Sequence, residues 1–583
     1  PSVRRGCAAA REFLVETAAK EFRANAEKLS VEDGQVVGLP EGKKLSYADL
    51  VKGSDGKLKG VRSGDVTMRA VEEWTVLGKS LAKVDSRAIV MGAHMYPSDI
   101  TRPGMLYGRV LRPPAYNAEL AKVDLESAKS SGVVAVRDGN FVGFAAATSQ
   151  AAEKAREVAE KTAEWKLKDG QPSSETLYAH LEKNASDRSR RNVDGSPDVF
   201  HKAGSMVVRQ DFHIAYIQHA PMEPRAAVAE WDGDKLTVWT GTQQPQRVRG
   251  QLAEAFSMSQ DRVRVIVPDT GGGFGGKHSG EAAVEAARLA KAAGKPVSLR
   301  WSREEEFTWA YCRPAGLIKI AAVLGDNNRI QAWEHINYNS GGSAIATPYD
   351  IANTATEFKS CDQPLRSGSY RALASTANVF ARESMMDDLA SKAGEDPLEF
   401  RLKHLKEERL RNVLIAAAEK FDWKSRWKAN SSAQKEGIGL ACGTEKGSFA
   451  ACCARISVDH EAGTYKVLEV VEAYECGAIQ NPRNLQAQVE GCIVQGLGGA
   501  LWEEMKFADG KVLSGKFSKY RVPRFTDMPK METVLLDRKD LASVGAGETP
   551  IIGIAPAIAN ALCHAAQVRI RSLPIRNEKF RSV

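Results

Sequence analysis

Apolar and polar positions change period repeatedly along this chain. From Arg4 to Leu29, Ala, Leu and Phe recur among Arg, Glu and Lys at helical spacing, which predicts an amphipathic helix with no capping residue before it except Ser2. From Val31 to about Ser80 come short polar strands and turns, including Asp33-Gly34, Pro40-Glu41-Gly42 and a Lys/Gly-rich piece at 52–64, read as a boundary or a surface excursion. Residues 81–168 predict an α+β unit, with extended text at Met105-Leu106-Tyr107-Gly108-Arg109-Val110-Leu111-Arg112, strands at 133–136 and 141–146, and a helix at 149–165. Polar residues 169–198 predict a linker or long surface loop. Strands then fall at 226–231, 235–240, 262–267, 296–301, 317–323 and 330–338, interrupted by helices at 246–256 and 279–293 and closed by a helix from Glu383 to His404. After a second polar stretch at 424–437, strands at 454–458 and 465–474 precede helices at 484–503 and 555–568. Two blocks that each mix strands and helices predict two α+β domains rather than one doubly wound sheet.

Composition narrows the function classes. The 583 residues are long enough for several domains, and 43% hydrophobic against 26% charged residues describes an ordinary globular chain. A net charge of +8 spread over that length leaves no basic stripe, so no nucleic-acid partner is expected. The nine cysteines include no C-x-x-C pair, which predicts reduced, mostly buried thiols rather than a disulfide or zinc framework. No apolar run reaches about 18 residues, so no membrane span is expected.

The chemistry centres on Val263-Arg264-Val265-Ile266-Val267-Pro268-Asp269-Thr270-Gly271-Gly272-Gly273-Phe274-Gly275-Gly276-Lys277. Gly271 to Gly276 satisfies G-x-G-x-x-G between a strand and a helix, the opening of a dinucleotide fingerprint. The second strand, however, ends in Arg300-Trp301, where the ribose-binding acid should stand, and Lys277 is followed by His278 rather than Ser or Thr. On this pattern alone nucleotide binding and a plain tight turn both stay open.

The loop has companions in a fixed order: Thr240-Gly241-Thr242-Gln243-Gln244-Pro245 upstream; then Arg371, nine residues before Phe380-Ala381-Arg382-Glu383; Gln488-Val489-Glu490-Gly491; Gln495-Gly496-Leu497-Gly498-Gly499; and Gly545-Ala546-Gly547-Glu548-Thr549-Pro550. As an ordered set these resemble the large molybdopterin-binding subunit of the xanthine dehydrogenase and aldehyde oxidase family, from about Leu81 to the C-terminus. Tyr474-Glu475-Cys476-Gly477-Ala478-Ile479-Gln480-Asn481-Pro482 is similar to the isoquinoline 1-oxidoreductase and nicotinate dehydrogenase-like branch. The resemblance implies an α+β fold: a remainder of a molybdopterin-binding domain at 1–80, an α/β hammerhead at 81–180, and two elongated molybdopterin-binding domains at 181–425 and 426–583.

It also implies a chemistry. Family members hydroxylate an electron-poor carbon of an aldehyde or aromatic N-heterocycle with water-derived oxygen. A carboxylate serves as base, and electrons leave through iron–sulfur clusters. Glu548 matches that base; crowded by Gly545, Gly547 and Pro550, it is expected in a dry place suited to proton transfer, with helix capping as the alternative. Gln243 matches the glutamine that donates to the molybdenum oxo ligand. Gly273, Phe274 and Gly275 match the loop whose amides face the same ligand, and Arg371 matches the arginine beside the active site. Gln488, Gln495 and Gly547 match cofactor contacts. Two departures stand out: His278 occupies the place of a substrate-binding glutamate in purine-oxidising members, and Ala372-Leu373-Ala374 replaces a glycine/proline-rich continuation after Arg371.

The family's M-G-Q-G segment, which holds the cofactor phosphate, is missing, and Thr444-Glu445-Lys446-Gly447-Ser448-Phe449 stands there instead. A leading portion that is cleaved, not included, or replaced by a further chain is therefore expected to supply it. The implied cofactor is molybdopterin with molybdenum, the cytosine dinucleotide form left open. The implied partners are a small subunit with [2Fe–2S] clusters and a cytochrome c or other electron acceptor. The implied location is bacterial, periplasmic or peripheral to the inner membrane, with the cytoplasm left open. The alternatives are an NAD(P)-dependent α/β dehydrogenase and a member that keeps the fold without the cofactor.

Overall fold

A computed structural model describes residues 2–52, 66, 68–130, 132–196, 200, 206–429 and 432–576. The chain divides into two compact units, Pro1–Gly78 and Lys79–Val583. In the first, the helix Ser2–Glu21 buries Ala9, Leu14, Ala18 and Ala19, and Ala18 belongs to one small core with Val36 and Leu39. The helix stops eight residues earlier than its pattern predicts, because Arg23 turns into the left-handed region at φ 49° and Asn25 caps a separate short turn at Ala26–Lys28. Most of the Lys/Gly-rich piece at 52–64 lies outside the described residues.

The second unit is built on three sheets. A seven-stranded mixed sheet runs in the order Val263–Ile266, Lys235–Thr240, Ala226–Asp232, Val297–Arg300, Leu106–Leu111, Phe141–Ala146, Val134–Asp138. The helix Glu281–Ala293 covers it with five buried alanines, Ala282, Ala283, Ala286, Ala287 and Ala290. Leu289 of that helix fits over Gly108 and Gly143, where an added Cβ would meet it at 2.7 and 3.0 Å. Leu106 to Gly108 pair in parallel with Val297 to Leu299. One sheet therefore crosses the divide expected near residue 180.

This sheet excludes the dinucleotide alternative. Val263–Ile266 is an edge strand, and two strands separate it from Val297–Arg300, whereas a dinucleotide fold needs neighbouring parallel strands about a glycine turn. The covering helix also begins with Glu281, paired to Arg225 and Arg366, where a pyrophosphate would need a free positive end.

A six-stranded sheet runs Ser572–Leu573, Met206–Ile214, Gly316–Leu324, Ile330–Tyr338, Asn353–Cys361, Ala185–Asp194. The last strand falls inside the stretch expected to be a linker; it is an edge strand whose residues are mostly exposed and polar, so no alternation marks it. A four-stranded sheet runs Glu436–Glu445, Ser448–Asp459, Thr464–Glu475, Lys530–Leu536. The helix Ile554–Ala566 lies against it with backbones nearly touching: a Cβ on Gly437 or Gly439 would come within 2.2 Å of Ala561 backbone atoms.

The helix expected from Glu383 to His404 is two, Ser375–Ala393 and Pro397–His404, broken where Gly394 takes φ +68° and Pro397 starts the second. The first is buried along most of its length, and its acidic residues are answered by arginines: Glu383 by Arg401 at 2.8 Å and Asp387 by Arg569 at 2.6 Å. The window Thr549–Ala566 is long and apolar enough to cross a membrane, contrary to the expectation from the sequence, and 89% of it is buried inside the protein. All nine cysteines are free thiols.

Candidate active site

The glycine loop is held from beneath and from one side. His219 lies under it, buried, its Nε2 2.7 Å from the Ser369 carbonyl oxygen. A Cβ on Gly276 would strike the imidazole at 2.7 Å. Burial, with Arg225 and His278 adding, pushes the His219 pKa down to about 3, so the ring is neutral. Tyr311 Oη donates to the Gly275 carbonyl and accepts from the His278 N–H at 3.1 Å. Lys277 turns inward, 1% exposed on its side chain, and donates to the Glu223 carbonyl at 2.8 Å.

Gln243 follows the strand Lys235–Thr240, and its position is set by two contacts with the loop. Its own N–H donates to the Lys277 carbonyl at 2.8 Å, and its Oε1 accepts from the N–H of Gly275 at 3.1 Å and of Lys277 at 3.3 Å. With the oxygen occupied, the carboxamide presents only its Nε2 hydrogens as further donors, and these find no acceptor among the described residues. A Cβ on Gly273 would meet Oε1 at 2.6 Å, so glycine is required for this approach. The Gly275 amide, expected to face a cofactor, is thus spent on positioning Gln243. The amides of Gly273 and Phe274 donate to no described residue. Phe274 stands at φ 52° with 40% of its surface exposed.

Arg371 ties this loop to the rest of the site. Its N–H donates to the Phe274 carbonyl at 2.9 Å. Its guanidinium donates from Nε to Gly547 O at 2.7 Å, from Nη1 to Gln495 Oε1 at 3.2 Å, and from Nη2 to Gln488 Oε1 at 2.9 Å. The arginine is buried, and its hydrogen bonds brace the loop, the Gly547 stretch and the two glutamines together. Ala372 and Leu373, which replace the family's glycine/proline-rich text, hold φ +65° and +54°. The left-handed path after Arg371 is kept without glycine.

Gln488 and Gln495 lie on the helix Pro482–Leu501, which stays regular through Gly491, Gly496, Gly498 and Gly499 despite their poor helix propensity. Close packing explains Gly496, where a Cβ would meet Ile554 at 2.8 Å, and Gly499, where it would meet Ile217 at 3.2 Å. Gln495 Nε2 donates to Tyr370 Oη at 3.0 Å. Gln488 also lines a cavity of ≈ 250 Å³ with Cys476, Ala478, Asn481, Asn484 and Val544, formed largely by the Cys476 to Asn481 motif.

Glu548 starts the short turn Thr549–Gly553 and makes no capping hydrogen bond, which removes the capping alternative. It is not dry: 38% of its side chain is exposed, and it forms an ion pair with Lys446. Lys446 is at the tip of the hairpin joining Glu436–Glu445 to Ser448–Asp459, with φ +53° followed by Gly447 at +78°. His278 has its pKa lowered by burial first, then by Arg247 and Lys446, with Glu548 opposing. Arg247 and Lys446 have no place in the expected set. Lys446 stood in the stretch that replaces the M-G-Q-G segment and carried no role, and His219 had no signal, since neither its type nor its spacing marks a loop support.

A pterin cofactor needs backbone approach, fixed donors and an open cleft. The close approach at Gly273, the uncommitted Gln243 Nε2 and Phe274 amide, and the exposed Gly547, tied to Phe274 through Arg371, supply the backbone approach and the donors near the cavity at Gln488. The residues present fit the group.

Two stretches, 180–405 and 447–529, match the model of the molybdopterin cofactor-binding domain. The chain belongs to the molybdopterin-binding large subunits of the xanthine dehydrogenase family. Among its relatives, the B subunit of nicotinate dehydrogenase from Pseudomonas putida is 28% identical over 100% of this chain and 52% of its own length. The beta chain of isoquinoline 1-oxidoreductase from Brevundimonas diminuta is 27% identical over 98% of this chain and 81% of its own. The chain thus spans about half the length of the first relative. Both are named as one subunit of a larger enzyme. In fold the chain is similar to quinoline 2-oxidoreductase from Pseudomonas putida 86, with a TM-score of 0.75 at 17% identity over 86% of this chain and 97% of that one. The aldehyde oxidoreductase of Desulfovibrio gigas gives 0.76 at 16% identity, over 86% and 80%.

Proposed function

We propose that this chain is the catalytic, cofactor-binding part of a molybdenum hydroxylase that oxidises an aldehyde or an aromatic N-heterocycle with water-derived oxygen. The observation that supports it best is the convergence of Phe274, Arg371, Gly547 and Glu548, drawn from three distant stretches and joined through two Arg371 hydrogen bonds of 2.9 and 2.7 Å. When bound, the molybdenum cofactor supplies oxygen transfer and the two-electron redox step.

The residues of the chain do the rest. Gln243 Nε2 and the Phe274 amide are fixed donors at the rim, held in place before any substrate arrives. Arg371 holds Gly547 and both glutamines in register, so the carboxylate of Glu548 keeps one position relative to the loop. Glu548 removes a proton as general base, with Lys446 paired to one of its two oxygens. His278 lines the substrate side.

The relatives' names as subunits support a partner chain. We infer a small [2Fe–2S] subunit, an onward acceptor such as a cytochrome c, a segment that completes the phosphate site, and a periplasmic or membrane-peripheral location in a bacterium. The test is elemental: the purified complex is expected to hold about one molybdenum and one pterin per chain. A complex free of both would leave only the member without cofactor.

A further inference from the structure

Apart from the residues that converge on Arg371, Asp85, His94 and Asp269 each bring one ligand atom into a group whose members lie within 4.8 Å of one another. The local fold makes them meet. The short helix Ser86–Val90 follows Asp85, and the chain reverses at Gly92, φ +71°, so that the His94 N–H returns to the Ala88 carbonyl at 3.1 Å. The His94 ring packs edge-on against Tyr96, with centroids 5.2 Å apart. Asp269 arrives from a distant stretch, two residues ahead of Gly271, whose N–H donates to Glu223 at 2.8 Å. Two features separate this group from ordinary surface polarity. His94 Nε2 is buried and makes no hydrogen bond, although it lies 3.0 Å from Asp269 Oδ2. A nitrogen and an oxygen that share a zinc ion, each about 2.1 Å from it, stand about 3 to 3.5 Å apart without pointing at one another. Asp85 makes no capping hydrogen bond with its helix and no ion pair among the described residues, so its carboxylate is uncommitted. The ammonium of Lys83 lies 3.3 Å from Asp269 Oδ2, and its side chain is 56% exposed.

We propose that Asp85, His94 and Asp269 bind a divalent transition-metal ion, zinc by the chemistry of the set, which pins the base of the glycine loop to the segment around His94. Three protein ligands leave one tetrahedral position to water. The imidazole nitrogen selects zinc and its neighbours over magnesium and calcium, which take oxygen ligands. Binding needs the exposed Lys83 ammonium to swing into solvent, and the two carboxylates then balance the charge of the ion. The site is separate from molybdenum, since no ligand is shared with Gln243, Phe274 or Glu548.

Zinc itself is the probe, on the purified complex. After dialysis against zinc and then against zinc-free buffer, wild type is expected to retain about one zinc per chain more than His94→Ala or Asp85→Asn. Circular dichroism on the same samples should be unchanged, and Asp85, being exposed, keeps the test open if His94→Ala fails to fold. In competition with a chromophoric chelator, either substitution should weaken zinc by at least about 10-fold to 100-fold. Lys83→Met has the opposite sign: without the resident ammonium, zinc should bind up to about fivefold more tightly. Magnesium in large excess should leave the zinc in place. Crystals soaked in zinc and measured at the zinc absorption edge should show an anomalous peak between the three side chains, distinct from any iron or molybdenum. Equal zinc retention by wild type and both variants, the sign of an adventitious ion only, would overturn the proposal. So would an anomalous map with no peak beside Asp269, or a Lys83→Met complex that binds zinc more weakly than wild type.

Discussion

Glu548 is placed by its neighbours, with Gly547 held by Arg371 on one side and the Thr549–Gly553 turn on the other. Glu548→Gln keeps the shape and removes the base, so turnover should drop by about 10² to 10⁴ while molybdenum content stays at the wild-type level. Near wild-type turnover in a molybdenum-loaded variant would remove Glu548 from its role. Ala372 offers a second measurement. Left-handed backbone costs a residue with a Cβ about 1 kcal/mol or more, and Ala372 holds φ +65°. Ala372→Gly should therefore be neutral or stabilising by up to about 1 kcal/mol, where an ordinary Ala→Gly costs about that much; urea midpoints decide it. Gln243, Arg371, Gln488, Gln495 and Glu548 were marked in the sequence by the family resemblance, and the structure joins Arg371 to Gly547, Gln495 and Gln488 by hydrogen bonds. Lys446 and His219 were not, since their places come from where the fold sets them: a hairpin tip and the space beneath a loop.

At the scale of elements, long periodic segments were legible and edge or broken ones were not. The helices Ser149–Thr162, Glu281–Ala293 and Pro482–Leu501 lie within a few residues of their patterns. The strand Ala185–Asp194 escaped because an exposed edge has no face to alternate. The break at Gly394 was overlooked although Gly394-Glu395-Asp396-Pro397 marks it, with a left-handed C-cap glycine followed by an Asp-Pro helix start. Gly439 shows how a strand residue can serve a helix. It lets the strand Glu436–Glu445 press against the helix Ile554–Ala566, which continues directly from the turn after Glu548. Gly439→Ala has no side chain to yield, only the Ala561 and Ala557 backbones. A loss of about 1 to 3 kcal/mol is expected in chemical denaturation, together with lowered cofactor content as the Glu548 turn shifts. A variant as stable as wild type would show that helix and sheet can separate at no cost.

For the molecule as a whole, acid should be destabilising in a defined window. His219 and His335 are fully buried and burial lowers both to about 3 from a usual 6.5. Between those values the unfolded chain takes up protons that the folded chain refuses, so stability is complete above about 6.5 and falls as the pH drops toward 3. Each histidine contributes a slope of up to about 1.4 kcal/mol per pH unit; denaturation midpoints between about pH 7 and 4 measure it, and His335→Asn should flatten the curve. The electrons raise the other question at this scale. Each oxidation of the proposed kind releases two electrons, and iron–sulfur clusters that could carry them need sets of cysteine thiolates. The nine cysteines of this chain are free thiols, and none is spaced as C-x-x-C. Among the described residues, Asp85, His94 and Asp269 alone come together as a metal-ligand group, an oxygen and nitrogen set without sulfur. The iron–sulfur partner proposed above is where such thiolates are expected. Purification under native conditions should bring down a small iron-containing subunit with about four iron atoms per copy, as two [2Fe–2S] clusters. Its absorbance should bleach when substrate is added to wild type and persist unbleached in Glu548→Gln. Sustained turnover by a preparation without iron would show that the electrons leave by another route.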